Sequence, residues 1–429
     1  MRIARSSLFD PTSNGLYAAT AVALSLFVFA YSSRFGPVAI LVYYGLWLPL
    51  IALDPRAIIG RARDLVVPGI FVLVLVSSTL WSAAPGVSLR GSVQFATHAL
   101  CILVAARVVS LRSLTRGVLV GTAIVTVYSL IFGYSAYDAM DGSYTFVGAF
   151  GSKNQLGLYC SLGIFFAMLS VFVMREPLLI RAGSVLLAAL FALVLDASRS
   201  ATSSIALAVA IMVFLALIAL LRFGPMFRMF VVVLLLPASA LVALAAYRLG
   251  AVELILAAFG KDPTLTGRTY LWEIGLQSFY QMPLAGIGYL AYWVPGFPEA
   301  EMLWAEFFIT ARTGFHFHNT IIQALVDVGI VGTVPLVIIV LSTLYRSLKG
   351  SVSRRSTADA CLFALMVMFT IRSFSEVDFF YQYSLGSFIL LYSYIKLGSA
   401  GSARQPVEHR RPYAPAAPAP LGRLSPSSS

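Results

Sequence analysis

The segment 201-ATSSIALAVAIMVFLALIALL-221 decides the fold class of this sequence, because it runs for 21 positions without a charged residue. A helix needs about 20 largely apolar residues to cross the hydrocarbon core of a bilayer. The rest of the chain has the same character, with 59% apolar and 11% charged residues, whereas soluble domains carry about a quarter charged residues. The sequence therefore predicts an all-α polytopic membrane protein.

Similar apolar runs predict about twelve transmembrane helices. Their expected bounds are 16–33, 37–53, 65–82, 93–109, 117–135, 155–174, 179–196, 201–221, 227–247, 319–341, 360–374 and 380–397. Within 319–341, Asp327, Gly329, Gly332 and Pro335 indicate close helix packing and a kink. The chain then divides into an N-terminal tail (1–15), helices one to nine (16–247), a large loop (248–318), helices ten to twelve (319–398) and a C-terminal tail (399–429). The C-terminal tail is rich in Pro, Ala and Ser, so we expect it to be disordered.

Basic residues predict the orientation in the membrane. If the N-terminus is cytoplasmic, the inner segments hold 21 of the 30 Lys and Arg residues, and nine remain for the opposite face. Positively charged loops stay inside, so both termini are predicted to be cytoplasmic and loop 248–318 to lie on the outer face. The net charge of +12 is spread over these loops without a nucleic-acid motif, so we expect no nucleic acid as a partner.

The outer loop is rich in aromatic residues, including three of the five tryptophans. Loops of this length are usually functional or disordered, and the aromatic content argues for order. Two short amphipathic helices are predicted, one in 266-TGRTYLWEIGLQSFYQMP-283 and one in 297-FPEAEMLWAEFFI-309. The aromatic rings fit two roles, an anchoring belt at the lipid headgroups or a surface that binds sugars.

Four cations are predicted on the outer face: Lys153, Arg199, Arg268 and Arg312. Each has a simple structural explanation, such as pairing of Arg199 with Asp196. Together they suggest an anionic lipid-linked substrate, since guanidinium groups and helix N-termini are suited to bind a diphosphate.

The motif 315-FHFHN-319 holds two of the four histidines. A neutral histidine is suited to take a proton from a hydroxyl group near neutral pH, so His318 is a candidate base. Two alternatives stay open: His318 and Asn319 cap the following helix, or His316 and His318 bind a metal.

A second charged motif, 372-RSFSEVDFF-380, lies on the same predicted face. Glu376 and Asp378 form an acid-x-acid pair of a kind that can hold a divalent metal. Arg372 lies four residues before Glu376, so we expect an ion pair between these two residues instead.

Five motifs in this order around a large outer loop resemble the O-antigen ligase and polymerase superfamily, in particular the exopolysaccharide polymerases of the ExoQ type. They are GSKNQLG (151–157), SRSATSS (198–204), TGRTYLWEIGLQSFYQMPLAGIGY (266–289), FHFHNTIIQALVDVGIVG (315–332) and SEVDFF (375–380). The chain departs from the family pattern at Asp327, where the family usually has Glu.

The resemblance implies a GT-C-type fold in the bacterial inner membrane with a periplasmic loop. It implies an inverting glycosyltransferase that needs no metal or cofactor and uses sugars linked to undecaprenyl diphosphate. In that family an arginine matching Arg199 and one matching Arg268 engage the diphosphate, and a histidine matching His318 serves the acceptor hydroxyl. We therefore predict catalytic roles for His318, Arg268 and Arg199, and substrate contacts from Lys153, Asn154, Arg312, Trp272 and Asn319.

The expected reaction joins oligosaccharide repeat units into exopolysaccharide or O-antigen. Ligation of a lipid-linked glycan to lipid A core uses the same chemistry with another acceptor. Expected partners are the lipid-linked oligosaccharide, membrane lipids, a chain-length regulator and export machinery. A polysaccharide or lipid transporter is the rival from another class, but it predicts charges near the bilayer midplane rather than on one face.

Overall fold

A computed structural model describes residues 6–60, 62–138, 143–250 and 267–400. Of the described residues, 77% are helical. Within the described residues, seven helices are long and apolar enough to cross a membrane. These features confirm the prediction of an all-α polytopic membrane protein, while the expected total of about twelve spans and the GT-C-type class stay predictions.

The α-helices of the described residues are numbered here in chain order. They are α1 (Ser6–Phe9), α2 (Gly15–Leu53), α3 (Pro55–Ile59), α4 (Val66–Ser77), α5 (Pro85–Val108), α6 (Leu111–Phe132), α7 (Lys153–Phe172), α8 (Leu178–Ser198), α9 (Ala201–Leu220), α10 (Pro225–Arg248), α11 (Arg268–Gln281), α12 (Pro298–Glu306), α13 (Thr320–Arg354), α14 (Thr357–Ser373) and α15 (Leu385–Ala400). Each of the twelve predicted spans overlaps one of these helices, and helices α11 and α12 lie where the two loop helices were predicted. Part of loop 248–318 and the tail from residue 401 lie outside the described residues.

Two predicted spans, 16–33 and 37–53, belong to the single 39-residue helix α2, which is interrupted at Gly36. Gly36 has φ 61° and ψ −147°, a conformation open to glycine, and Pro37 follows it. The last predicted span was placed too early, because residues 380–384 form a loop and α15 begins at Leu385.

A two-stranded antiparallel sheet follows α6 and was missed in the sequence. Strand β1 (Tyr134–Asp138) pairs with strand β2 (Ser143–Gly148), and Tyr137 lies opposite Tyr144. Strands this short give a weak periodic signal beside long apolar helices. The sheet leads directly into the start of α7.

Close packing of helices relies on small residues. Gly117 and Gly121 of α6 lie against α2, where an added Cβ atom would stand 2.6 Å from Val22 Cβ and 2.9 Å from Ala23 Cα respectively. Two glycines spaced four residues apart let helix backbones approach closely, as is common within membranes. This contact joins α2 to α6, and α7 packs in turn against α6, α8 and α9.

Helix α13 is broken at Gly329, as its Asp327, glycine and proline content predicted. Gly329 has φ 60°, and the segment after α11 runs beside the break. The backbone N–H groups of Ile287 and Gly288 donate to the carbonyls of Val326 and Asp327, at 3.0 and 2.8 Å. The carbonyl groups freed by the break are thereby paired with backbone donors, which is required wherever irregular backbone lies within a helix bundle.

Most of the loop aromatics form a small core above the start of α13. Tyr292, Trp304 and Phe317 are buried, and the Phe317 ring centroid lies 4.8 Å from that of Tyr292 and 4.9 Å from that of Trp293. These buried rings pack against one another, so they form neither a belt at the lipid headgroups nor a surface that binds sugars. This core fixes the segment that carries the two loop histidines.

Candidate active site

A buried carboxylate, that of Glu376 in the loop between α14 and α15, is the centre of the site. Its side chain is 6% exposed. Oxygen Oε1 accepts hydrogen bonds from Asn154 Nδ2 at 2.7 Å and from Arg268 Nη2 at 3.0 Å, and it lies 3.6 Å from His318 Nδ1. Three residues singled out by the sequence, from three separate segments, therefore meet at one carboxylate.

The partners of Glu376 come from the first residues of helices. Asn154 is the second residue of α7, Arg268 is the first residue of α11, and Thr320 at the start of α13 donates from Oγ1 to the Glu376 carbonyl at 3.0 Å. Asn154 also accepts a hydrogen bond from Ser200, which caps α9. The N-termini of four helices thus meet around Glu376, and each helix N-terminus carries partial positive charge.

This positive surrounding controls the ionisation of Glu376. Burial by itself would raise the pKa of the carboxyl group, because it disfavours the charged form. The neighbouring His318 and Arg268 oppose that effect, and together they hold the pKa of Glu376 well below its ordinary value. The carboxylate is therefore charged at physiological pH.

A second buried pair lies next to the first and corrects a prediction. Arg372 was expected to pair with Glu376, but its Nε donates to Asp378 Oδ2 at 2.9 Å and its Nη1 donates to Ser203 Oγ at 2.6 Å. Helix α14 ends at Ser373, so Glu376 lies beyond the helix, and it is the backbone N–H of Glu376, not its side chain, that bonds to Arg372, by donating to the Arg372 carbonyl at 2.8 Å. Glu376 is left available for Arg268.

A cavity of about 550 Å³ opens beside Glu376. Its walls come from α2, from the segment leading into α7 and from the two loops that carry Glu376 and His316. Polar residues of the lining include Arg34, Gln155, His316, Gln323, Arg372, Glu376 and Asp378. Aromatic residues Tyr31, Phe150, Trp293 and Tyr381 line the same space. Charged groups and flat aromatic rings around one cavity are suited to bind a polar ligand with apolar faces.

His316 lines this cavity and His318 lies next to it, with the two ring centroids 4.2 Å apart. The backbone N–H of His318 donates to His316 Nδ1 at 3.0 Å. This contact requires an unprotonated Nδ1, so a neutral His316 ring carries its proton on Nε2. His318 turns its Nδ1 towards the Glu376 carboxylate, which accepts hydrogen bonds only, so a proton on Nδ1 and a free lone pair on Nε2 fit this geometry.

His316, His318 and Glu376 also lie close enough for a metal to be considered, with ligand atoms within 4.8 Å of one another. The hydrogen bonds weigh against that use. The Nδ1 atom of His316 is engaged by a backbone donor, and Oε1 of Glu376 already accepts from Arg268 and Asn154. A metal would have to displace these contacts and would bring positive charge next to a guanidinium group.

The other predicted residues lie around this cluster or away from it. Arg199 is exposed and follows α8 in a left-handed conformation, one residue before the Ser200 that binds Asn154. Lys153 is half-buried as the first residue of α7. Arg312 is exposed and pairs with Glu301 at 3.2 Å.

Two further predicted contacts serve the protein itself. Trp272 Nε1 donates to the Phe317 carbonyl at 2.9 Å. Asn319 caps α13, since its Oδ1 accepts from the N–H groups of Ile321 and Ile322, and its Nδ2 donates to the Phe374 carbonyl. The helix-capping alternative is thus correct for Asn319, and substrate contacts by Asn319 and Trp272 stay predictions.

Sequence reasoning missed three features of the site. It treated Glu376 as the partner of Arg372, it gave His316 no role besides metal binding, and it left Arg34 out of the outer-face cations. The signal for Arg34 was present, because it lies between two predicted spans on the same predicted face. Its guanidinium group lies 5.5 Å from the centre of the Tyr128 ring, at the edge of the cavity.

Comparison with known proteins assigns the chain to a family. The family model described as O-antigen ligase matches residues 184–337, which contain Arg199, Arg268 and both loop histidines. The exopolysaccharide production protein ExoQ of Rhizobium meliloti (strain 1021) is 45% identical over 398 residues, covering 92% of each chain. The chain belongs to the ExoQ family. Together with its apolar helices, this membership supports a membrane-embedded protein that acts in polysaccharide polymerisation or ligation.

Proposed function

We propose that this chain is a membrane glycosyltransferase that polymerises oligosaccharide repeat units linked to undecaprenyl diphosphate, at the periplasmic face of the bacterial inner membrane. One observation carries the proposal: Arg268 and His318 meet on the buried Glu376, where four helix N-termini converge beside a cavity. Such a site combines groups that stabilise negative charge with a group that accepts a proton. Transfer of a sugar from a diphosphate to a hydroxyl group requires both.

The reaction joins the acceptor oxygen to the anomeric carbon of the donor sugar. As this C–O bond forms, the bond between the anomeric carbon and the diphosphate oxygen breaks, and its electron pair stays with the diphosphate. The acceptor hydroxyl loses its proton to a base. Attack from the side opposite the leaving group inverts the anomeric carbon.

His318 is the proposed base. Its Nδ1 faces Glu376 and its side chain is 20% exposed, so Nε2 can reach a bound hydroxyl group. When Nε2 takes the proton, the imidazole becomes positively charged, and the nearby carboxylate stabilises that charge. Asp327 is not proposed as a base. Its Oδ2 accepts a hydrogen bond from the Leu290 N–H at 3.1 Å and so holds the segment that packs beside α13.

The diphosphate leaving group needs positive charge as its own negative charge grows. Arg268 uses two of its N–H groups on Ser375 and Glu376, and a guanidinium group has five. Arg199 lies at the start of α9 and is exposed to solvent, so it is the second proposed contact. Lys153, Asn154 and Arg312 are proposed to contact the rest of the substrate.

Ligation is a second candidate, favoured by the match of residues 184–337 to the O-antigen ligase family. It differs from polymerisation in the acceptor, lipid A core instead of a growing lipid-linked chain. We favour polymerisation because the 45% identical relative is an exopolysaccharide production protein.

The test incubates membranes that contain the wild-type chain or the His318→Ala variant with a labelled undecaprenyl-diphosphate repeat unit. A ladder of products on a gel with wild type, and none with an equally abundant variant, is the result expected for a polymerase with this base. One shifted band that requires added lipid A core would identify a ligase. If the repeat unit of the source organism is supplied and no product forms, transfer is excluded and transport becomes the better explanation.

A further inference from the structure

His316 occupies a different position from His318, although the two are separated by one residue. His316 lines the cavity, and its ring is held at Nδ1 by the backbone N–H of His318. On the opposite edge of the ring, Nε2 makes no hydrogen bond to the residues that the structure describes, and the ring lines the cavity. A half-buried ring with one nitrogen fixed by the backbone and the other left for the cavity is arranged to bind a ligand.

The hydrogen bond to Nδ1 determines what His316 can offer. Since Nδ1 accepts, the proton of the neutral ring lies on Nε2, which makes Nε2–H a donor and not a base. Nδ1 of His318 faces Glu376 at 3.6 Å without a hydrogen bond to the described residues, and a proton placed there, towards the acceptor-only carboxylate, leaves the lone pair on Nε2. The pair therefore presents one donor and one acceptor.

The surroundings keep His316 neutral. Burial lowers the pKa of His316 to about 3, and the neighbouring His318 and Arg268 act in the same direction, while Glu376 opposes them. Tyr381 also lines this cavity, with its ring centroid 6.2 Å from that of His316. The Arg372–Asp378 ion pair lines it as well. A neutral donor binds oxygen without changing its charge near pH 7.

We propose that His316 is a further substrate-binding residue, whose Nε2–H donates a hydrogen bond to an oxygen of the sugar diphosphate while His318 takes the acceptor proton. This proposal rests on the proposed glycosyltransferase function. The oxygen belongs either to the sugar or to the diphosphate, which offer the same kind of acceptor. The alternative role, that of a metal ligand, needs a lone pair on a ring nitrogen, and in this tautomer the one lone pair is already used by the His318 N–H.

Two substitutions separate the donor from the backbone contact. In glutamine the amide nitrogen is three bonds from Cβ, like Nε2 of histidine, so His316→Gln keeps a donor near that position. In asparagine the amide oxygen is two bonds from Cβ, like Nδ1, so His316→Asn keeps the acceptor for the His318 N–H. His316→Phe keeps the ring and removes both functions.

The experiment measures kcat and KM for elongation of the labelled repeat unit by all three variants in membranes. We expect His316→Gln to stay within a few-fold of wild type, and His316→Asn and His316→Phe to lose about tenfold to a hundredfold in kcat/KM, as for loss of one substrate hydrogen bond. Inhibition by undecaprenyl diphosphate without sugar locates the oxygen. Weaker inhibition of His316→Phe than of wild type assigns the contact to the diphosphate, and equal inhibition assigns it to the sugar.

The opposite order overturns the proposal. If His316→Asn keeps activity and His316→Gln loses it, the residue acts through the backbone of His318 alone. Wild-type activity in all three variants would exclude any role of His316 in binding. An equal loss of activity in His316→Gln and His316→Asn would exclude the Nε2–H donor as the deciding group. A failure of the function proposed for the chain gives a different result, because wild type itself would then form no product.

Discussion

Replacement of Glu376 by glutamine is the most direct test of the site. The substitution keeps the size of the side chain and an acceptor oxygen, so Asn154 and Arg268 retain a geometric partner. It removes the negative charge that faces Arg268 at 3.0 Å and His318 at 3.6 Å. The variant therefore tests charge and donor pattern with little change in packing.

The expected size of the effect follows from burial. The side chains of Arg268 and Glu376 are only 13% and 6% exposed, so solvent screens their attraction weakly. A hydrogen bond to a charged partner contributes about 1.5–3 kcal/mol, and loss of a partner from a buried pair costs about 3–5 kcal/mol. Because glutamine keeps one acceptor, we expect Glu376→Gln to lower the free energy of unfolding by the smaller amount, about 1.5–3 kcal/mol.

Activity falls for a separate reason. Without the carboxylate, the charge that forms on His318 during proton transfer loses its partner, and Arg268 is held by a neutral acceptor instead of a charged one. A loss of about 1.5–3 kcal/mol in the transition state corresponds to about a tenfold to hundredfold decrease in kcat. The assays are elongation of the labelled repeat unit in membranes and thermal unfolding in detergent.

The chain provides a matched control. Glu301 also pairs with an arginine, Arg312, at 3.2 Å, but the two side chains are 30% and 56% exposed. Exposed ion pairs contribute about 0–1 kcal/mol to stability, so the melting temperature of Glu301→Gln should be close to that of wild type. Equal behaviour of the Glu376→Gln and Glu301→Gln variants, in both stability and activity, would refute the central role of Glu376.

Two further predictions concern stability. Gly329→Ala should destabilise the protein by about 1–3 kcal/mol, because Gly329 has φ 60° and an added Cβ would stand 2.3 Å from the Leu284 carbonyl oxygen. Its control is Gly45→Ala, where the space at the Cβ position is open, and this variant should be neutral or slightly stabilising in the same unfolding assay. Because the pKa of Glu376 is lowered, its contribution to stability is full above about pH 5 and decreases as pH falls below the ordinary glutamate value of about 4.3. The difference in melting temperature between wild type and Glu376→Gln should therefore shrink below about pH 4, and a constant difference would contradict this assignment.

The sequence predicted the parts of the fold that depend on local patterns. Apolar runs located the helices, and the Gly-x-x-Gly segment with Pro335 predicted the break in α13, because glycine and proline act on the backbone locally. The same patterns predicted that Arg268 and His318 lie on one face of the membrane. They did not predict that both residues contact the Glu376 carboxylate.

Pairing between distant segments could not be predicted, because it depends on where α14 ends. One more helical turn would have placed Glu376 beside Arg372, as expected from their spacing. The chain instead leaves the helix after Ser373, and Glu376 turns towards residues more than a hundred positions away, at 268 and 154. Local spacing predicts contacts within a continuous helix and loses its meaning at the helix end.

The charge balance explains how a buried carboxylate can lie at the centre of a site for an anionic substrate. Arg268 is neutralised by Glu376, and Arg372 by Asp378, so these four groups together bring no net charge. The positive potential then comes from the helix N-termini, each equivalent to roughly half a charge: the starts of α7, α9, α11 and α13 contribute on the order of two, and the adjoining ends of α8 and α14 remove about one. The remaining positive charge, together with the exposed Arg199 and Arg34, opposes the negative charge of a diphosphate diester. In this arrangement Glu376 serves to orient the cation and the base, while the helix starts and the exposed arginines attract the substrate.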